Sequence, residues 1–239
     1  MAERIDDLQC RGYRIIQDTE AFCFGMDAVL LANFAAPSVS GETPVLDFCT
    51  GNGIIPLLLA AKTEAPVIHG LEIQPAAVQL ARRSAALNHA EDRIRIVEGD
   101  LRDFRALFPE ACVKVVTANP PYLRTGLRNA DSRKKIARHE ILMTFPELAK
   151  AAAYVLKTRG SLFLVHRPSR LPEILETLRK EHLEPKRLRM VYPYQDREAN
   201  LFLLEAVKGG GIELRVEPPL IVYESEKKYT NEIFEIYGK

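Results

Sequence analysis

The sequence predicts an α/β domain built on a seven-stranded, mostly parallel sheet whose last two strands form an antiparallel pair. Three observations point there. Short apolar runs, several ending in an acid, alternate with helix-period segments, the pattern of parallel strands joined by crossover helices and covered on both faces. The final two runs follow one another with no helix between them. The length of 239 residues, with 47% hydrophobic and 27% charged residues, suits one such domain with appendages and excludes disordered, collagen-like and coiled-coil chains.

The elements follow in order. Residues 26–34 (MDAVLLANF) read as an amphipathic helix, with Asp27 in its first turn where a carboxylate complements the helix dipole. Residues 43–48 (TPVLDF) form the first strand, CTGNG turns, and 54–62 continue as a helix. Residues 67–72 (VIHGLE) are the second strand. Pro75 then opens a helix to about residue 88, at a position where its missing N–H costs nothing. Residues 93–97 and 113–118 are strands, the latter stopped at once by Asn119-Pro120-Pro121. A helix at 145–156, a strand at 161–166, a helix at 171–181 and strands at 186–192 and 200–207 complete the core. Gly209-Gly210-Gly211 separates a tail whose apolar run 220–223 is expected to lie back on the domain.

Charge is nearly balanced, 33 Lys and Arg against 32 Asp and Glu, so a nucleic-acid partner must be met by a local patch. The longest apolar run, 54–61, is about half a membrane span, and the N-terminus opens with Glu3, Arg4, Asp6 and Asp7 instead of a signal peptide. A cytoplasmic protein without membrane contact is expected. Cys10, Cys23, Cys49 and Cys112 show no paired spacing, which suits reduced thiols. The five histidines are scattered, and no metal is expected.

In open α/β sheets ligands bind beyond the carboxyl ends of the strands. Asp47, Gly51, Gly53, Glu72, Asp100 and Asn119 all sit at such ends. The Gly51–Pro56 stretch fails the dinucleotide pattern at its last position, and Asp47 would repel a pyrophosphate, so a nicotinamide or flavin cofactor is disfavoured. S-adenosylmethionine (SAM) has no phosphate, and its ammonium and sulfonium accept acidic surroundings. The two glycines allow close approach, Glu72 lies 19 positions beyond Gly53 to receive the ribose hydroxyls, and Asp100 can accept from the adenine amine.

Asn119-Pro120-Pro121-Tyr122 directly follows the fourth strand. The Asn side-chain carbonyl and a Pro main-chain carbonyl can together accept both N–H groups of one planar amine, while Tyr122 stacks on its π-system. Such a clamp orients a weakly nucleophilic amine toward a sulfonium methyl without a strong general base.

DFCTGNG, GLEIQ and ANPPY resemble the glycine, acidic and NPPY motifs of class I amino-group methyltransferases, and the whole chain is similar to the bacterial tRNA(Val) adenine N6-methyltransferases. FGMDAVLLANFA near the N-terminus and EPKRLRMVYPYQDREANLFLLEAVKGG and PPLIVY near the C-terminus carry that narrower likeness. The resemblance implies a Rossmann-like seven-stranded methyltransferase sheet. It implies an amine site at Asn119, Pro120, Pro121 and Tyr122, and a SAM site at Asp47, Gly51, Gly53, Glu72 and Asp100, with Phe48, Ile73, Leu101 and Asn119 as further contacts. The expected target is the N6 amine of the adenine beside the anticodon. The division expected is an N-terminal extension, 1–42, near the cofactor, where Phe24 and Asp27 are candidates to close over the methionine end; a methyltransferase domain, 43–208; and a packed tail, 209–239. One departure is Cys49-Thr50, where many relatives carry a further glycine.

Between residues 124 and 139, Arg124, Arg128, Arg133, Lys134, Lys135 and Arg138 stand against one acid, Asp131. Placed beside the clamp, this run is expected to hold phosphates of an RNA loop whose target base is unstacked. Arg167, Arg170, Lys186, Arg187 and Arg189 are candidates to extend it. Two other readings use the same residues. A protein glutamine methyltransferase needs the same clamp, but the segment before residue 43 is short for its substrate domain. A non-catalytic RNA-binding protein of this fold has no use for intact motifs.

Overall fold

The structure is a computed structural model describing residues 3–20, 23–121, 143–226 and 228–238. Its centre is a sheet in which β3 (Val45–Phe48), β4 (Ile68–Glu72), β5 (Ile94–Glu98), β6 (Val113–Ala118), β7 (Leu156–His166), β8 (Leu183–Tyr192) and β9 (Leu201–Lys208) form the seven expected strands. They lie in the order β8-β9-β7-β6-β3-β4-β5, and β9 runs antiparallel to both neighbours. The order reverses between β3 and β6, the switch point at which such sheets bind ligands.

Alternation along the strands explains the two-sided core. Val45, Val115, Phe163 and Val165 join one apolar cluster, while Leu46, Val116, Leu162 and Leu164 join the other. α1 (Met26–Ala35), α2 (Ile54–Lys62) and α3 (Pro75–Leu87) supply the first. A short helix α4 (Phe104–Leu107), α5 (Phe145–Val155) and α6 (Leu171–Lys180) supply the second. α5 starts on a capping box in which Thr144 and Glu147 satisfy each other's end of the first turn, with proline in that turn as well. The Arg93 guanidinium donates to the carbonyls of Ala60, Thr63 and Ala65 at 3.1, 2.9 and 3.1 Å, closing the carboxyl end of α2.

Two features exceed the sequence expectation. β1 (Glu3–Asp7) and β2 (Arg14–Asp18) form an antiparallel hairpin docked on α3, where the Ile16 N–H donates to Ser84 Oγ at 3.0 Å and Asn88 bonds the Arg14 main chain in both directions. In the tail, β10 (Arg215–Val216) and β11 (Leu220–Ile221) add to β8 in parallel, making the sheet nine-stranded. Two-residue strands leave no periodic signal to read. Leu220 and Val222 are buried in the first cluster, beside Ile233 and Ile236 of α7 (Asn231–Ile236), and Lys62 donates to the Ile236 carbonyl at 2.8 Å. No described helix is long and apolar enough to cross a membrane.

Candidate active site

The register of the central strands assembles the site. Phe48 at the tip of β3 pairs with Leu71 of β4 on one side and Ala118 of β6 on the other. The next residues along, Cys49, Glu72 and Asn119, therefore all follow the paired residues at the same edge of the sheet. Asn119 is half-buried, Pro120 is buried and Pro121 is exposed. Tyr122 and all six residues of the expected basic segment, Arg124, Arg128, Arg133, Lys134, Lys135 and Arg138, lie outside the described residues.

The turn after β3 is left-handed three times in five residues, with φ of 58° at Cys49, 56° at Gly51 and 84° at Gly53. Glycine adopts this freely, whereas Cys49 holds it as an L residue at a cost of about 1–3 kcal/mol. Cys49 thus holds a backbone conformation that glycine adopts without strain. Burial and the neighbouring Glu72 and Asp47 carboxylates push its thiol far up, so it is inert as a nucleophile at neutral pH.

The acids behave differently from one another. Glu72 is nearly buried, and its carboxylate accepts the N–H groups of Gly51 and Gln74, both at 2.9 Å. It braces the turn and retains a further lone pair on each oxygen. Asp47 is 0% exposed and accepts hydroxyls from Thr50 and Thr117, each at 2.6 Å. One oxygen thus bonds within the turn and the other onto β6, where cross-strand register sets Thr117 directly opposite. Asp100 accepts the Arg102 main-chain N–H at 2.8 Å and the Arg102 Nε at 3.0 Å, and this pair holds its carboxyl below the usual range. The adenine acceptor expected at Asp100 is thus already engaged.

Phe48 ends β3, and Leu101 follows β5 at this edge. Both side chains belong to the second core cluster, so only their main chains face the crevice. Ile73 differs: it is 36% exposed, an apolar surface next to Glu72. At the start of α1, the Phe24 N–H donates to Gln17 Oε1 at 3.0 Å and Asp27 is buried, accepting the Ala28 N–H at 3.0 Å. Sequence reading missed Thr50, Thr117 and Arg102. Only the Asp-x-Arg spacing of the last carried a signal. Among the additional cations, Arg187 pairs with Glu205 and Glu217, Arg189 with Glu232 and Arg170 with Glu173, while Lys186 donates to the Gly211 carbonyl.

A family model described as the methyltransferase small domain matches residues 24–186. The chain belongs to the methyltransferase small domain family. This methyltransferase is 30% identical over 201 residues to the tRNA1(Val) (adenine(37)-N6)-methyltransferase of Porphyromonas gingivalis, covering 77% of this chain and 79% of that protein. It is 27% identical to the protein of the same name from Parabacteroides distasonis, covering 82% and 81%. Among solved structures, the methyltransferase fold matches protein Atu636 of Agrobacterium tumefaciens, described as an O-methyltransferase, with a TM-score of 0.71 and 23% identity over 89% of this chain and 96% of that one. TYW2 of M. jannaschii, solved in complex with AdoMet, aligns at TM-score 0.60 and 14% identity, covering 86% and 85%.

The crevice fits SAM, the cofactor that the sequence motifs imply. A Cβ built on Gly51 meets nothing within 4 Å, leaving open space over the turn. Beside that space stand the acceptor oxygens of Glu72 and the exposed side chain of Ile73, a polar and an apolar wall for a ribose and a flat base. Among the described residues no cluster of His, Cys, Asp or Glu could hold a metal ion.

Desolvation raises the Asp47 carboxyl from 3.8 to about 7. Between these two values the folded methyltransferase keeps a proton that the unfolded chain releases, so this group's contribution to stability is complete below pH 4 and is lost as pH rises through 7. Denaturant unfolding at pH 5 and pH 8 is expected to show a loss of about 2–3 kcal/mol attributable to Asp47. Asp47→Asn should flatten that part of the profile. An identical slope in both proteins would remove the assignment.

Proposed function

We propose that this enzyme transfers the methyl group of SAM to the exocyclic N6 amine of adenine in tRNA, with the adenine beside the anticodon of tRNA(Val) as its target. The observation that carries the reading is the pairing of β6 with β3, which sets Asn119 next to the glycine turn. The P. gingivalis relative, named for that reaction and similar over most of both chains, supports the substrate.

SAM supplies an electrophilic methyl on sulfur. The chain's own residues do the rest. Glu72 receives the ribose hydroxyls through its free lone pairs, and Ile73 covers one face of the cofactor adenine. The Asn119 side-chain carbonyl and the Pro120 main-chain carbonyl would accept the two N–H groups of the target amine and draw its lone pair out of conjugation, and the proton that the nitrogen sheds on gaining a methyl group would pass to solvent. As positive charge develops on that nitrogen, the two acceptors strengthen, which stabilises the transition state more than the ground state. Tyr122 stacks on the target base, and the basic run from Arg124 to Arg138 holds the phosphates of the RNA loop.

Incubating the enzyme with radiolabelled SAM and unfractionated tRNA, followed by nucleoside analysis, tests this directly. The expected product is N6-methyladenosine in one tRNA species. Label found only in protein would replace the proposal with glutamine methylation.

A further inference from the structure

The tail builds a free sheet edge with an unusual sequence. β10 is the last strand of the nine-stranded sheet on its side, and residues 211–216 are all exposed. Ile212, Leu214 and Val216, at 87%, 37% and 63% exposure, are three of the five exposed large hydrophobics among the described residues. They alternate with Glu213, Arg215 and Glu217 beyond a bend at Ile212, so the segment, once extended along its whole length, shows an apolar face and a charged face. The Glu217 N–H donates to the Leu188 carbonyl at 2.8 Å. Residues 215 and 217 therefore direct main-chain polar groups at β8, and 216 directs its own outward, unpaired by any described strand, as 214 does when the strand extends to it.

We propose that two copies of this chain associate through these edges, as an antiparallel strand pair with its two-fold axis at Leu214. In a two-fold interface residue i meets j and j meets i. An axis at Leu214 sets Leu214 against Leu214 and Ile212 against Val216 on one face, and Glu213 against Arg215 twice on the other. The outward-facing residues then form the hydrogen-bonded pairs. The oppositely charged residues fall in the non-hydrogen-bonded pair, where side chains approach more closely.

Neighbouring registers fail. An axis at Glu213 or Arg215 opposes like charges across the axis, and the latter also sets Glu213 against Glu217. An axis at Val216 sets Pro218, which has no N–H, where an outward donor is required. The self-complementarity of one register is what singles out a second copy over an unrelated partner strand. The contact is short, so a dissociation constant in the micromolar range or weaker is expected. The edge lies four places along the sheet from β6, leaving both crevices open.

Sedimentation velocity of the full chain over a concentration series tests the register. The wild type is expected to show a reversible monomer–dimer equilibrium. E213R and R215E, each converting both symmetric pairs into like-charge pairs, should raise the dimer dissociation constant about tenfold or more. An equimolar mixture of E213R and R215E should restore it, because one chain then presents two guanidinium groups to two carboxylates on the other. Both positions are exposed, and an unchanged Tm confirms folding. A wild type that stays monomeric to the highest soluble concentration overturns the proposal. So do single variants that dimerise like the wild type, or a mixture that stays monomeric.

Discussion

Asn119→Ala is expected to bind SAM with wild-type affinity and to lose about a hundredfold to a thousandfold in turnover, the range seen when one preorganised transition-state contact is removed. The side chain is half-buried just past β6 and belongs to neither core cluster, so its loss should leave stability nearly unchanged. The effect should appear in kcat with little change in KM for SAM, because in the proposed reaction the contact tightens only as charge develops on the amine. Asn119→Asp retains an acceptor oxygen at the same reach and should keep part of the activity. Single-turnover methylation alongside calorimetric SAM binding separates the two effects. Undiminished turnover in Asn119→Ala would falsify the amine clamp.

Glu72→Ala should act on the other half of the site. Its carboxylate accepts the Gly51 and Gln74 main-chain N–H groups. Its removal takes the acceptor from the N–H of half-buried Gly51, at about 1–3 kcal/mol, and from the N–H of Gln74, an exposed residue that water can satisfy, and it takes away the proposed ribose acceptor as well. The expected outcome is a lower Tm and a SAM dissociation constant raised about tenfold to a hundredfold, since hydrogen bonds to a charged group contribute about 1.5–3 kcal/mol. Glu72→Gln keeps one acceptor oxygen and should fall between. Calorimetric titration with SAM measures the effect, and an unchanged dissociation constant in Glu72→Ala would separate Glu72 from the cofactor.

Much of this was legible in the chain itself. β6 is found at the expected residues, and α2 at the expected bounds, because each combines an apolar run with a hard stop: Asn-Pro-Pro after Ala118, and a glycine turn before Ile54. The convergence of Glu72, Gly51 and Asn119 was readable for the same reason, since strand ends in a parallel sheet share one edge. Less legible was the environment that other side chains supply. Asp47 looks like an exposed acid at a strand tip, yet Thr117, seventy residues away, covers it. Asp100 looks free until Arg102 folds back on it. Phe48 and Leu101 both turn their side chains into the second core cluster.

By itself the sequence determined the α/β class, the order of strands and helices, and the turn chemistry after β3. These follow from local periodicity and from residues that tolerate only one backbone conformation. The tertiary structure alone decided that β9 inserts between β7 and β8, that the tail extends the sheet to a free edge, and that Asp47 is a buried brace. Those outcomes depend on pairings between segments far apart in the chain, where hydrogen bonding and desolvation are settled by the partner and not by the residue's own neighbours.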